Sequence, residues 1–417
     1  MRAASSPGWL GELRGAAAER FESMAWPTAE DPEWRRTDFG RLDLSPFLAG
    51  RALGDRGRSS VISTGASAET AGRMRFDAGN CAELAVAARL QTLGVRFEAL
   101  GNGSGQGGAL ASSLLREAFA VAEDKVAVWH FAALQYGALL YVPPGIRVEE
   151  PFVVEIAEGG EGRYATPQIA IVLGEGASAM VIARVRESLG SNILFNARTD
   201  ISLGQDSSLR LFGSRMTGPD SLHFEETRAR LAEGSSLDRL EVQLGGRLAR
   251  TRVDCSLEGR GAKANLDGMY YCGAGQQADL GTALRHMSPG ATSRAYYKGG
   301  IAGGGRATFQ GLIDVGEGAS GTDAYLSNRN LLLGDGARAD SIPTLRIGND
   351  DVRCSHGSAT GRLGEEELFY LRSRGFSESE ARETLVLGFF EDLLAKAPEA
   401  FREGSLEDLR RQLPDAA

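Results

Sequence analysis

Residues 168–185 read Gln-Ile-Ala-Ile-Val-Leu-Gly-Glu-Gly-Ala-Ser-Ala-Met-Val-Ile-Ala-Arg-Val, two apolar runs hinged at Gly176-Ala177. Each run suits a buried strand, and glycine at the hinge suits a tight corner. The same punctuation returns at Asp206-Ser207, Gly234-Ser235, Gly261-Ala262, Gly290-Ala291, Gly318-Ala319 and Gly336-Ala337. The second positions (177, 207, 235, 262, 291, 319, 337) are separated by 30, 28, 27, 29, 28 and 18 residues. Near-even spacing favours a coiled, stacked sheet over a doubly wound fold. Phe152–Ile156, Ile193–Ile201 and Ser208–Phe212 add further short strands. The 10- to 15-residue amphipathic helices that an α/β enzyme would interleave are missing from about 145 to 360. The expected fold is mainly β, an elongated β-solenoid or β-helix.

Outside this block the texture is helical. Residues 8–26 read as helix, ended by Pro27, Pro32 and the charged segment Trp34-Arg35-Arg36-Thr37-Asp38, after which some 35 residues look like loop with short strands. Alanine-rich sequence from Cys81 to about Leu93, and from about Ala109 to Tyr136, reads as helix, with Gly101–Gly108 as a flexible joint. At the other end, Glu365–Arg374 opens with three acids and closes on Arg372 and Arg374 before Gly375. Ser377-Glu378-Ser379-Glu380 fits a capping box. In the helix that follows, Ala381, Leu385, Phe389 and Leu393, with Val386, Phe390 and Leu394, make an apolar stripe. A third helix is expected after Ser405, with Asp408 as its capping acid. The divisions expected are an N-terminal helical and mixed region (1–140), a β-helix core (141–360) and a C-terminal helical region (361–417).

Composition narrows the function. Among 417 residues, 46 Lys+Arg stand against 55 Asp+Glu, a net charge of −9 that disfavours nucleic acid as a partner. An apolar fraction of 42% is enough for a real core. Glycine is abundant, 55 residues against 13 proline, yet without the strict period of collagen, so it must punctuate many short elements. Met1–Gly15 lacks a continuous apolar core, and the expectation is a cytoplasmic protein without a secretory leader. Between Lys125 and Arg147 lie 21 uncharged residues, but His130, Gln135, Gly137 and Pro143-Pro144 favour a buried helix running into a strand over a membrane span.

Catalytic signatures are absent from the sequence: no P-loop, no H-E-x-x-H and no G-x-S-x-G. Any nucleotide-driven step needs a partner. Four widely spaced cysteines, Cys81, Cys255, Cys272 and Cys354, form no C-x-x-C, and four histidines limit any metal site built from this chain alone. The most suggestive cluster is Asp350-Asp351-Val352-Arg353-Cys354-Ser355-His356-Gly357. In an extended segment Cys354 and His356 share a face, so thiolate and imidazole can approach one metal or sulfur atom. The alternative is a small buried thiol and a hydrogen-bonded histidine within a strand. Cys255 and Cys272 read as buried hydrophobes, Tyr296-Tyr297-Lys298-Gly299 as a solvated strand edge, and His223 and His286 as surface hydrogen-bonding residues near turns. The C-terminal apolar stripe reads first as an internal packing face.

Several segments together resemble the SufB/SufD family of iron-sulfur cluster assembly proteins, most like its SufD members. They are Trp34-Arg35-Arg36-Thr37-Asp38, Tyr141-Val142-Pro143-Pro144-Gly145, Tyr297-Lys298-Gly299, Thr322-Asp323-Ala324-Tyr325, Asn328-Arg329-Asn330-Leu331-Leu332-Leu333, Cys354-Ser355-His356-Gly357 and Leu368-Phe369-Tyr370-Leu371-Arg372-Ser373-Arg374-Gly375. The resemblance implies a right-handed parallel β-helix with helical ends and a non-catalytic scaffold subunit. It implies heterodimer formation with SufB through the β-helix, docking of the ATPase SufC through the C-terminal helices, and a homodimer when the chain is alone. It also implies a nascent iron-sulfur cluster shared with SufB and not bound tightly by this chain alone. His356 matches the histidine that helps to hold that cluster, and Cys354 matches the neighbouring interface cysteine. On this reading the apolar C-terminal stripe becomes a docking face. Two departures separate the chain from SufB: Asn328 stands where SufB carries its interface cysteine, and Ser355-His356-Gly357 replaces Glu-His-Glu.

Two other functions fit a β-helix. One is a self-associating structural protein, since sheet edges pair readily unless covered. The other is a carbohydrate-active enzyme using paired carboxylates such as Asp323, Asp340, Asp350 or Asp351, although nothing distinguishes these acids from solvated turns.

Overall fold

In a computed structural model, which describes residues 8–37, 39–49, 69–100, 106–158, 161–187 and 192–413, the chain is a β-solenoid of about eight turns with helices at both ends. Asp38 and the glycine-rich stretch 101–105 lie outside the described residues, as does most of the expected loop region, 50–68. The N-terminal elements are α1 (Trp9–Ser23), α2 (Ser45–Ala49), β1 (Gly72–Asp77), β2 (Asn80–Val86), α3 (Ala88–Thr92), β3 (Arg96–Ala99), α4 (Gln106–Ala120) and α5 (Lys125–Ala133). The solenoid is wound from β4 (Tyr136–Val142), β5 (Arg147–Glu158), β6 (Glu161–Ala165), β7 (Pro167–Leu173), β8 (Ser178–Glu187), β9 (Asn192–Leu203) and β10 (Ser208–Thr217). It continues through β11 (Leu222–Leu231), β12 (Ser236–Gly245), β13 (Leu248–Leu257), β14 (Lys263–Cys272) and β15 (Gln277–His286). The last turns are β16 (Thr292–Ile301), β17 (Arg306–Val315), β18 (Thr322–Leu332), β19 (Arg338–Ile347) and β20 (Val352–Arg362). Helices α6 (Glu365–Ser373), α7 (Glu378–Leu394) and α8 (Glu399–Gln412) follow.

From β8 onward the strands alternate between two parallel sheets. One runs β2-β1-β5-β8-β10-β12-β14-β16-β18-β20 and the other β19-β17-β15-β13-β11-β9-β7-β4-β3. Most of these strands are ten residues long, not short, because each spans a full flat face of the solenoid. At one corner Gly145, Gly176, Asp206, Gly234, Gly261, Gly290 and Gly321 all have positive φ. Each donates its N–H to a carbonyl of the following turn, for example Gly176 N to Gln205 O at 2.8 Å and Gly290 N to Ser320 O at 2.8 Å. A left-handed backbone favours glycine, and the buried residue after it, Ala177, Ser207, Ser235, Ala262 or Ala291, has room only for a small side chain. Two of the repeated turns depart from this column. The turn at Gly318-Ala319 is longer and passes the left-handed role to Gly321, and Gly336-Ala337 belongs to the opposite corner beside Gly304. Its odd spacing follows from that.

Aliphatic side chains fill the space between the sheets, and helices cover both outer faces. On one face Trp34, Phe39 and Trp129 pack with Leu194, Leu222, Phe224 and Leu248. The Trp34 segment is pinned there: Thr37 donates to the buried Asp279, which also pairs with Arg250 and Arg252, and Arg250 stacks 3.7 Å over Trp34. On the other face Val386, Phe390, Leu393 and Leu394 of α7, with Phe401 and Leu409 of α8, cover Phe212, Leu240, Val242, Leu244, Met269 and Tyr271. Lys298 Nζ reaches Phe389 O and Asp392 at 2.6 Å, so the Tyr296–Gly299 segment anchors α7 and is no solvated edge. Arg186–Asp408 and Lys396–Asp267 complete the clamp.

Three local expectations change. Cys81–Val86 is strand, because the turn at Ala78-Gly79, both with positive φ, folds it antiparallel onto β1; only Ala88–Thr92 is helical. Pairing outweighs the helix propensity of alanine. The stretch 109–136 is broken into α4 and α5, with Asp124 capping the latter by accepting from Ala127 N. Helix α8 starts at Glu399 after Pro398; Ser405 lies inside it, bonding Phe401 O, and Asp408 pairs with Arg186. The capping box at Ser377 and Glu380 forms as expected. The uncharged stretch after Lys125 divides into α5 and β4, and no described helix is long and apolar enough to cross a membrane.

Candidate functional site

Cys354 and His356 lie on β20, the last strand of its sheet, paired in parallel register with β18. The register sets Cys354 beside Ala324 and His356 beside Leu326. Ala324 and Leu326 are buried between the sheets, so in register Cys354 and His356 continue two core-facing columns one turn further, to the point where the solenoid stops. Their two-residue spacing therefore gives them a common face, and that face is the solenoid's open end.

The two side chains differ in setting. Cys354 is half-buried against the core, and burial pushes its thiol up, assisted by the charge of Asp323 and opposed by the N–H of Ala324. His356 is exposed. Among the described residues no group of three or more His, Cys, Asp or Glu side chains converges as a metal site. What stands at the open end is a thiol, which would ligate as thiolate on losing its proton, and an imidazole, a pair suited to iron and sulfide-rich species but too few to close a coordination shell.

Of the other thiols Cys81 is half-buried on β2, whereas Cys255, Cys272 and the remaining imidazoles are inside the protein. Cys255 and Cys272 are buried, and burial pushes both thiols up, Cys272 to about 12. A protonated, enclosed thiol is a poor nucleophile. His223 and His286 are buried rather than at the surface. His223 Nε2 lies 3.1 Å from Glu225, and His286 Nε2 2.8 Å from Ser293 Oγ. Burial drives His286 down to about 4. His130 is held between Asn196 O and Gln168 Oε1 and is likewise lowered to about 4, chiefly by burial.

An internal polar group escapes any reading of the sequence. Arg215 makes a bidentate bridge to Glu225 across the interior, and Glu241 sits between Arg215 and Arg239. Burial raises Glu241 to about 7, whereas Arg215 overcomes burial and holds Glu225 far below the usual carboxylate range. In the sequence the one hint is β12, where Arg239, Glu241 and Gln243 alternate with Leu240, Val242 and Leu244.

The last turn and the first C-terminal helix are the exposed parts. Leu345 and Ile347 of β19 extend the columns of the buried Ile313 and Val315 yet are 36% and 42% exposed. Helix α6 buries no residue, leaving Phe369 at 75% and Tyr370 at 56% exposure, with Phe376 just beyond it. The apolar stripe of α7, in contrast, is an internal packing face; its expected role as a docking face does not hold, because the solenoid already covers it.

Comparison with known proteins agrees with this architecture. The family model for the SufBD core domain of the SUF system of FeS cluster assembly matches residues 156–389, more than half of the chain. An iron-sulfur cluster assembly SufBD family protein of Mycobacterium bovis is 33% identical over 286 residues, covering 66% of this chain and 70% of the relative. One from Mycobacterium leprae is 30% identical over 319 residues, 73% of this chain and 77% of the relative. The iron-sulfur cluster assembly protein SufD of Escherichia coli is 32% identical over 246 residues, 59% of this chain and 58% of the relative. A solenoid of stacked strands ending in a thiol–imidazole pair, and this set of relatives, lead to one assignment: the chain belongs to the SufBD family of iron-sulfur cluster assembly proteins and is SufD-like in sequence.

Proposed function

We propose that this protein is the SufD-like scaffold subunit of a cytoplasmic iron-sulfur assembly complex. It joins SufB through the open end of its solenoid, holds a nascent cluster as cargo at that seam with His356 and Cys354, and docks SufC through its C-terminal helices. The observation that carries the reading is the last turn, which is uncovered among the described residues: β19 and β20 each leave a ladder edge unpaired there, and the core columns end at Leu345 and Ile347. An exposed edge of this kind is a template for another strand, and a second solenoid end of the same family has the matching geometry. Two donors on this side require the remaining ligands from the partner.

For SufC the exposed aromatic residues of α6 are the available surface, since α7 and α8 are committed to the solenoid. ATP hydrolysis then comes from SufC, consistent with the lack of a P-loop sequence in this chain. The test is anaerobic co-purification of the three proteins, with iron, sulfide and ATPase measured for wild type and His356→Ala. Complex formation with loss of bound iron and sulfide in the variant is expected. Unchanged cluster loading would remove His356 from the site, and failure to form any complex would end the assignment.

A further inference from the structure

Beneath the site-bearing strand lies a closed ring of three buried polar side chains. Tyr270 Oη donates to Asn330 Oδ1 at 2.5 Å, Asn330 Nδ2 to Asn328 Oδ1 at 2.9 Å, and Asn328 Nδ2 to Tyr270 Oη at 3.0 Å. All three residues are almost fully buried. The second N–H of Asn328 is directed to Tyr297 O, and that of Asn330 toward Thr360 Oγ1 on β20, both at 3.4 Å. Every donor of the ring thus has an acceptor, which is what permits amides to sit in a core.

The ring also skips a turn. Tyr270 belongs to β14 and the asparagines to β18, so the phenol must cross β16 between them. It does so over Gly299: a Cβ there would lie 2.1 Å from the Tyr270 ring. Aliphatic columns on either side allow a strand to slide by two residues with little change in chemistry, whereas a ring with fixed donors and acceptors has one register. A one-residue slip of β18 or β20 would turn Cys354 and His356 from the core-facing column to the outer face.

From this geometry we infer that Tyr270, Asn328 and Asn330 are positioning residues for the assembly site, fixing the register of β18 and through it the strand that carries Cys354 and His356. The inference rests on the reading of those two residues as the site, and the experiment separates the two. In the full chain with Cys81→Ser, Cys354 is the one cysteine outside the core, so its rate of alkylation reports how β20 is seated. Tyr270→Phe keeps the ring's shape and removes the hydroxyl; Ile313→Val, a core change on β17, serves as a control of general destabilisation. The Tyr270→Phe chain is expected to alkylate about tenfold faster at Cys354, with faster amide exchange confined to β18 and β20, and the control to leave both unchanged. Equal rates in wild type and Tyr270→Phe, or equal acceleration in the control, would overturn the proposal. Faster alkylation with undiminished cluster loading in the SufB–SufC complex would uphold the register role and remove Cys354 and His356 from the site.

Discussion

Phe390→Ala and Phe369→Ala distinguish the two apolar surfaces of the C-terminal helices. Phe390 is fully buried, and its ring tip would stand 3.4 Å from a Cβ at Gly300, so it rests directly on the backbone of β16. Its truncation removes a whole aromatic side chain from a packed cluster and leaves a cavity walled by rigid sheet, a change that costs about 3–5 kcal/mol. Phe369 is 75% exposed and packs against little; truncation there should alter stability by no more than about 0.5 kcal/mol. Urea titration followed by far-ultraviolet dichroism measures both. SufC binding, measured by calorimetry, should respond in the opposite order: Phe369→Ala is expected to weaken it about tenfold or more, about 1.4 kcal/mol. Stability of Phe390→Ala within about 1 kcal/mol of wild type would refute the packing argument. Unchanged SufC affinity in Phe369→Ala would remove α6 as the docking surface.

Two further outcomes follow from buried charges. Burial lifts Glu158 to about 7, despite hydrogen bonds from Tyr136 and the N–H of Gly79. The folded state therefore retains a proton that the unfolded chain releases near its ordinary value, so stability falls as pH rises between about 4.5 and 7, by about 3 kcal/mol. Glu158→Gln should reduce that slope in thermal melts across pH, leaving the fall of the same sign that Glu241 adds, and an unchanged slope would show that Glu158 does not contribute to it. Asp279→Asn removes the carboxylate shared by Arg250, Arg252 and Thr37. Loss of about 3–5 kcal/mol is expected, with new protease cleavage between residues 24 and 44; an uncleaved segment of wild-type stability would count against the pinning role of Asp279.

The winding of the solenoid was legible because its corners impose chemistry on particular positions. A left-handed backbone followed by a buried, small residue gives glycine then alanine or serine, and the eye finds the repeat. Elements shaped by long-range pairing were harder to see. Ala82, Leu84 and Ala85 look helical until β1 lies beside them, and nothing local to Ser405 tells that α8 has already begun. His223 is hidden from a sequence reading because both faces of β11 are covered around it, which erases the alternation that would mark an inward side chain; His286 does alternate with the partly exposed Arg285, but at the end of β15 it reads as part of a turn. For Cys354 and His356, a two-residue spacing was enough to give a shared face. That this face is the end of a core, exposed for want of a further turn, depends on where the winding stops, and no residue type encodes that.

The clamp of α7 and α8 has a consequence for how the molecule comes apart. Backbone ladders join each turn only to its neighbours, so a solenoid loosens from an end inward. The clamp ties β8 through β16 into one cooperative block, and β19 and β20 lie beyond it. The final turn is then the region whose order costs least to lose and which a partner's added strand would stabilise most. Under the proposed function, recruitment of the partner and completion of the binding surface would then be a single thermodynamic event.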